Sequence, residues 1–338
     1  MTTTRTSLYT MKDTHANSDE APFVCVENLS KKFGTLTAVD NLNFTVNKGE
    51  IFGFLGPNGA GKTTTLNIIS TLLDFDHGAV SIADFDLRRD ARSVRALIGL
   101  VPQSLALQPM LTAAENVSYF AGLYGLRGRA LKENVAEALS FVGLAEYAKR
   151  RAGKMSGGMQ RRLNIACGLA HRPQLIVMDE PTVGVDAQSR EHIVESIRTL
   201  RSRGATIIYT SHYMPEVQEI CDRIAIIDHG KLVAIGTEEE LISMVVDTKA
   251  ITIGTALSSS LNREELLGKL KLLPDVRRVV LSEDATQLRI EVPLGFTNVS
   301  PLLRMLMDLG LQIQTLTSDL PDLETTFLAL TGRELRQG

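Results

Sequence analysis

The stretch Gly56-Pro57-Asn58-Gly59-Ala60-Gly61-Lys62-Thr63-Thr64 constrains this chain more than any other. It fits G-x-x-x-x-G-K-[ST], with the apolar run Ile51 to Leu55 leading in and the helix-like TTTLNIISTLL leading out. Gly56, Gly59 and Gly61 let the backbone curl its amides around phosphates, and the N-terminus of the following helix adds positive potential there. Lys62 is placed to neutralise β- and γ-phosphates, and the Thr63 hydroxyl to hold Mg²⁺ beside them. The strand before and the helix after separate this loop from a glycine turn with an incidental lysine.

The surrounding pattern sets the fold. The runs FVCVENL, TAVDNLNFTV and EIFGFLG, broken by turns such as Asn47-Lys48-Gly49, predict an antiparallel β portion leading into a core strand. Further on come AVSIADFDL, the apolar IGLVPQ and a mostly helical span from Thr112 to about Ala152. Strands LIVMDE (175–180) and ATIIYTS (205–211) then alternate with helices at 187–203 and 215–221, before a hairpin IAIIDHGKLVAIG. Continuous apolar strands alternating with helices predict an α/β fold with a mainly parallel sheet covered on both faces. Past Gly236 the expected order is a linking helix (238–246), strand AITIGTAL, helix 262–272, strands VRRVVLSE and TQLRIEVP, helix 300–309, strand LQIQTLTS and helix 322–331. That β-α-β-β-α-β order is ferredoxin-like. Two domains are expected, 22–236 with a helical subdomain at about 104–172, and 237–338.

Length and composition agree with two globular domains: 338 residues, 44% hydrophobic and 22% charged. A net charge of -3 supplies no global attraction to nucleic acid, and none is expected as a partner. No apolar run approaches the ~20 residues of a spanning helix. Residues 1–21 are polar and lack the apolar core of a secretory signal, so they are expected to be a disordered leader of a cytoplasmic protein. Cys25, Cys167 and Cys221 are dispersed without metal-ligand spacing and are expected to be buried free thiols.

LIVM delivers Asp179 and Glu180 to the C-terminal edge of a strand, where open α/β sheets place ligands. Asp179 would support the metal, directly or through water, and Glu180 would polarise the attacking water. Read alone, Glu180 could instead cap the next loop. With the phosphate loop, the pair points to a nucleotide hydrolase. A second glycine-rich device follows the first by nearly a hundred residues: in MSGGMQRRLNIACGLAHRP, Ser156 is a good N-cap, and Met159, Leu163, Ala166 and Leu169/Ala170 recur at helical spacing. Read alone, it is a capped core helix ending before Pro173.

GPNGAGKTT, SGGMQRR, LIVMDEPT and TSH, in this order and spacing, resemble the ATP-binding cassette of ABC transporters over about residues 23–236. The resemblance implies two cassettes packed head to tail, each signature helix (Ser156, Gly157, Gly158) capping the ATP held by the other copy's phosphate loop. A hydroxyl, a glycine amide and a helix N-terminus suit the far side of a γ-phosphate. Carried over, Phe33 matches the aromatic that stacks on adenine, usually a tyrosine. Gln103 matches the Q-loop, which senses metal and γ-phosphate and touches the membrane partner. Asp186 matches the D-loop across the dimer, and His212 matches the switch histidine on the γ-phosphate. Of the six histidines, His212 alone is expected just past a core strand in such a frame. Position 155 departs from the pattern, with Met where Leu is usual.

The region TAAENVSYFAGLYGL resembles the surface that receives the permease's coupling helix in ABC-2-type exporters. The tail SDLPDLETTFLALTGRELR resembles the ending of daunorubicin-resistance-type ATPases. The expectation is an exporter ATPase using ATP and Mg²⁺, a homodimer peripheral on the inner face of the cell membrane, coupled to a separate multi-spanning permease. The competing class, soluble ABC ATPases of ribosomes or chromosomes, usually joins two cassettes or splits one with coiled coils, and neither feature is present. The C-terminal domain could bind a regulatory ligand or brace the dimer, because fold does not decide function.

Overall fold

The computed structural model describes residues 21–256, 263–271, 273, 275–282, 286–309, 311–319 and 322–332. Apart from Ala21, the expected leader lies outside the described residues, as does the end of the tail motif from 333 onward. The chain divides into two compact units between Ile235 and Gly236.

In the first unit, β1 (Val24–Phe33) and β2 (Leu36–Val46) pair antiparallel. β3 (Ile51–Leu55) opens a second sheet and runs into α1 (Lys62–Ile69). β4 (His77–Ile82) returns to β1 and turns into β5 (Phe85–Asp86). α2 (Ala91–Leu97) and β6 (Ile98–Val101) precede three helices, α3 (Ala113–Leu123), α4 (Gly128–Phe141) and α5 (Gly157–Leu169). β7 (Leu175–Asp179), α6 (Ala187–Ser202), β8 (Thr206–Thr210), α7 (Met214–Ile220), β9 (Arg223–Asp228) and β10 (Lys231–Gly236) complete the order.

The second sheet runs β10-β9-β3-β8-β7-β6, parallel from β9 to β6. Every residue of β3, β7 and β8 is buried, which is why β3 and the first four residues of β7 read as continuous apolar runs and β8 carries Ile207, Ile208 and Tyr209 between its threonines. Phe44 of β2 stacks on Phe52 of β3 and meets Phe54 edge-on, with ring centroids 5.5 and 4.9 Å apart, joining the two sheets through one aromatic cluster. Because β3, β8 and β7 are parallel neighbours, the phosphate loop after β3, the carboxylates ending β7 and the TSH segment after β8 emerge at one edge.

Some expectations are corrected. AVSIADFDL forms a hairpin, because Ala83 and Asp84 both take left-handed backbone (φ 49° and 66°) and reverse the chain. α2 was not anticipated. Within α5, Leu163, Ala166, Leu169 and Ala170 are buried, but Met159 is only half-buried.

The second unit begins with α8 (Glu238–Ser243), started by a Thr237–Glu240 capping box. It ends earlier than the expected 246, and Val245 and Val246 both bond Ile242 O in a tightened last turn. β11 (Thr248–Ala256), α9 (Arg263–Lys271), β12 (Arg278–Leu281), β13 (Gln287–Pro293), α10 (Ser300–Asp308), β14 (Gln312–Asp319) and α11 (Leu323–Thr331) follow. The sheet order β12-β13-β11-β14, antiparallel throughout, is ferredoxin-like. β12 and β13 alternate exposed and buried positions, and Val279, Leu281, Leu288 and Ile290 face a core shared with Leu266, Leu302 and Leu306. Among the described residues, no helix is long and apolar enough to cross a membrane.

Candidate active site

The phosphate loop is shaped by its own chain. A Cβ on Gly56 would lie 2.4 Å from Ile227 O; one on Gly61, which has φ +102°, would lie 2.5 Å from Ala38 O. The turn after β9 braces the loop from behind, with Gly230 N donating to Ala60 O at 2.9 Å and Asp40 N to Gly230 O at 2.9 Å. Lys62 is buried and donates to Gly56 O (2.5 Å) and Pro57 O (3.2 Å), so its ammonium is folded over the loop. Burial lowers its proton affinity, and the charges of Glu180 and Asp179 oppose that effect. In front of the loop lies a cavity of about 450 Å³, with Phe33 at its wall, Asn58 and Thr64 along the loop, and Gln103 and Glu180 contributing to its lining. Phe33 is 48% exposed, and the Lys31 ammonium stands over its ring, 5.5 Å from the centroid.

At the edge of β7, Asp179 receives the Thr63 hydroxyl (3.0 Å) and the Thr210 hydroxyl (2.7 Å). Thr210 Oγ1 in turn accepts from Glu180 N at 2.9 Å. Glu180 has φ +47°, a left-handed conformation that costs about 1–3 kcal/mol in a residue with a Cβ. Its buried carboxylate takes the Gln103 amide at 2.8 Å on one oxygen and stands 3.4 Å from His212 Nδ1 on the other. The fold thus assembles Lys62, Thr63, Gln103, Asp179, Glu180 and His212 around one mouth. The Thr63 hydroxyl, the Asp179 carboxylate and the Gln103 amide oxygen are hard donors of the kind a small divalent cation takes alongside water and phosphate.

The second glycine device is not brought to this cavity. Ser156 caps α5, accepting from Met159 N at 3.3 Å. Gly157 is exposed, with nothing within 4 Å of the place a Cβ would take. Gly158 differs: its Cβ would fall 2.0 Å from Ser189 Oγ and 2.7 Å from Ser189 Cβ on α6. Asp186 caps α6, accepting from Ser189 N and Ser189 Oγ, both at 2.9 Å, and those bonds hold its carboxyl below the usual range. Met155 is buried within its own chain.

The ABC transporter family matches residues 39–183. The chain is 42% identical to the linearmycin resistance ATP-binding protein LnrL of Bacillus subtilis, over 92% of this chain and 98% of that protein. It belongs to the ATP-binding proteins of ABC transporters. The doxorubicin resistance ATP-binding protein DrrA of Mycobacterium tuberculosis is 35% identical over 93% of this chain and 95% of that protein. Among solved structures, the fold resembles a dimeric post-hydrolysis ATP-binding cassette bound to ADP and Pi, with TM-score 0.58 and 29% identity, covering 63% of this chain and 98% of that one.

Several residues of this ABC cassette escaped the sequence reading. His229 also sits just past a core strand, β9, and lines the cavity, so His212 is not alone in that position. The clue was a histidine-glycine turn, which gives φ 49° and 77° and turns the hairpin back beside the phosphate loop. Buried Glu216 of α7 receives Thr182 (2.8 Å), Tyr209 (2.6 Å) and Ser211 (3.2 Å), with Arg190 Nε 3.1 Å from its other oxygen. It thereby ties together the segments on either side of His212, and burial together with its charge raises the Tyr209 pKa well above the usual value. Arg161 is buried on α5, at helical spacing from Gly158, Ile165 and Gly168. A charged residue on that stripe was the signal. Of the cysteines only Cys167 is fully buried, which raises its thiol to about 12; Cys25 and Cys221 are half-buried.

Proposed function

We propose that the chain hydrolyses ATP as one of two identical subunits that drive a separate ABC-2-type membrane permease from its inner face. The observation that carries this reading is Glu180, turned by its left-handed backbone so that one carboxylate meets the Gln103 amide and stands near the His212 imidazole. In that role Glu180 orients and deprotonates the attacking water, and Gln103 and His212 fix its carboxylate. Lys62 swings from its loop carbonyls to the β- and γ-phosphates, and Phe33 stacks on adenine. Mg²⁺, held by Thr63, Asp179 and Gln103, would neutralise charge developing on the phosphates. The exposed start of α5, with Ser156 and Gly157, suits the γ-phosphate bound by the partner copy, and Asp186 lies beside Gly158 on the same surface.

The permease has a supporting feature of its own. A groove of about 720 Å³ runs between the end of α1, α2 and β6 on one side and α3 on the other, with Leu72, Phe120, Leu123 and Tyr124 in its walls. Leu72 and Leu123 are 65% and 66% exposed, a large apolar surface for a helix to cover. Pro102 and Ala106 also line it, so an occupant would touch the loop that carries Gln103. Relatives include a Nod factor export ATP-binding protein of Sinorhizobium fredii, 36% identical over 95% of this chain and 92% of that protein, which favours export as the direction. Affinity purification from membranes tests the reading: a multi-spanning protein should co-purify and be lost when Leu123→Glu charges the groove, and recovery of ribosomes or DNA instead would overturn it.

A further inference from the structure

Arg161 does more than fill the core. It stands one turn into α5, and its guanidinium forks between two loops of the catalytic edge. Nη1 donates to Gln103 O (2.6 Å) and Pro102 O (3.4 Å), and Nη2 to Val183 O (3.1 Å), in the segment that leads from Glu180 to Asp186. Three residues further along the helix, buried Asn164 accepts from Ala106 N (3.1 Å) and donates to Pro102 O (3.3 Å). The backbone of 102–106 is therefore suspended from α5 by side chains of two successive positions on one face. A buried guanidinium is an expensive way to gain stability, because its desolvation offsets much of what its bonds return. Burial does weaken its hold on its proton, against the attraction of Glu180. Such a group is suited to fixing geometry, since its planar fork sets the directions of several bonds at once.

We propose that Arg161 is a positioning residue that locks the Gln103 loop and the 180–186 segment of one copy to the helix start facing the partner's ATP, coupling the two ATP sites. This rests on the reading of α5 as a cap in trans. Filling the site in one copy shifts the Gln103 backbone, and the fork carries that shift, over about one turn of helix, to Ser156 and Gly157.

The test uses the full chain with ATP and ADP as probes. Wild-type hydrolysis should be cooperative in ATP, with a Hill coefficient between 1 and the limit of 2 set by two sites. Arg161→Lys keeps the charge and most of the stem but loses the fork. It should bring the Hill coefficient to about 1 and lower kcat at least about tenfold. ADP affinity should stay at the wild-type value, and Tm should fall less than in Arg161→Met, because the ammonium still pairs part of the carbonyl set. Combining it with Gln103→Ala should add little to the loss from Gln103→Ala alone, because Arg161 acts through that loop. Arg161→Met leaves the carbonyls unpaired and lowers Tm, but should match the Lys variant in Hill coefficient. A Lys variant with wild-type cooperativity and kcat, or one that loses ADP binding and Tm in step with activity, would overturn the proposal. If instead the wild-type chain shows a Hill coefficient of 1, and Glu180→Gln forms no dimer with ATP, the cap in trans is what fails, and the coupling falls with it.

Discussion

The two glycine-rich devices of this chain bind their surroundings in opposite ways. At Gly56 and Gly61 the missing Cβ is required by backbone oxygens of the same chain, and Lys62 is satisfied by the loop's own carbonyls. At Gly157 nothing among the described residues claims the space, and Ser156 is exposed. A glycine whose Cβ would strike its own fold belongs to a finished site, whereas Gly157 is open; Gly59 is open too, but its φ of +83° is what its turn requires, and Gly157 has no such backbone demand. Gly158 combines both characters, since Ser189 packs against it from within the chain.

That contrast can be broken at several points. The largest effect is expected for Glu180→Gln, which should lower the turnover of the partner-coupled protein by about 10²–10⁴-fold while ATP still binds. Unchanged phosphate release would remove Glu180 as the base. Next, Gly157→Asp should leave the unfolding free energy within about 0.5 kcal/mol of wild type, because the site is open. It should nevertheless abolish ATP-driven dimer formation, measured by size-exclusion chromatography in the Glu180→Gln background; a normal dimer would show that the open glycine faces no phosphate.

Gly158→Ala should behave as the finished kind and destabilise the chain itself by about 1–3 kcal/mol, read by denaturant unfolding. Ser189→Gly should recover part of that loss; if it does not, the contact with α6 is not the reason for the glycine. A charged substitution at Gly158 would confuse the two effects, which makes Gly157 the cleaner probe. Phe33→Ala should weaken nucleotide binding by about 1–3 kcal/mol, and Phe33→Tyr should not, as a fluorescent ATP analogue would report. Met155→Leu should be the smallest, below about 1.5 kcal/mol in Tm-derived stability, since the side chain is buried in its own chain. A change in ATP-driven dimer affinity larger than that would mean position 155 reaches the partner.

Much of the site was legible because its parts are local. The strand, loop and helix around Lys62 fall within a few turns of chain, and the carboxylates end an all-apolar strand, so period and position identify them. The hairpin at Ala83-Asp84 is not legible in the sequence because a non-glycine pair in left-handed backbone carries little sequence signal. Arg161, Asn164 and Glu216 were missed for a different reason. Each is a polar residue on a helix face that pattern alone assigns to the core or to solvent, and at least one of its partners lies in a segment distant along the chain.

The sequence alone determined the sheet with helices on its faces, the phosphate loop, the carboxylate pair and the ferredoxin-like order of the second unit, because these follow from hydrophobic period and from what glycine permits. Only the tertiary structure decided that Gln103 and His212 converge on Glu180, that His229 shares the cavity, and that Arg161 joins α5 to the segments at Gln103 and Val183. Those arrangements depend on which strands lie side by side and on where a desolvated donor finds its acceptors, and neither is encoded in any one stretch of chain.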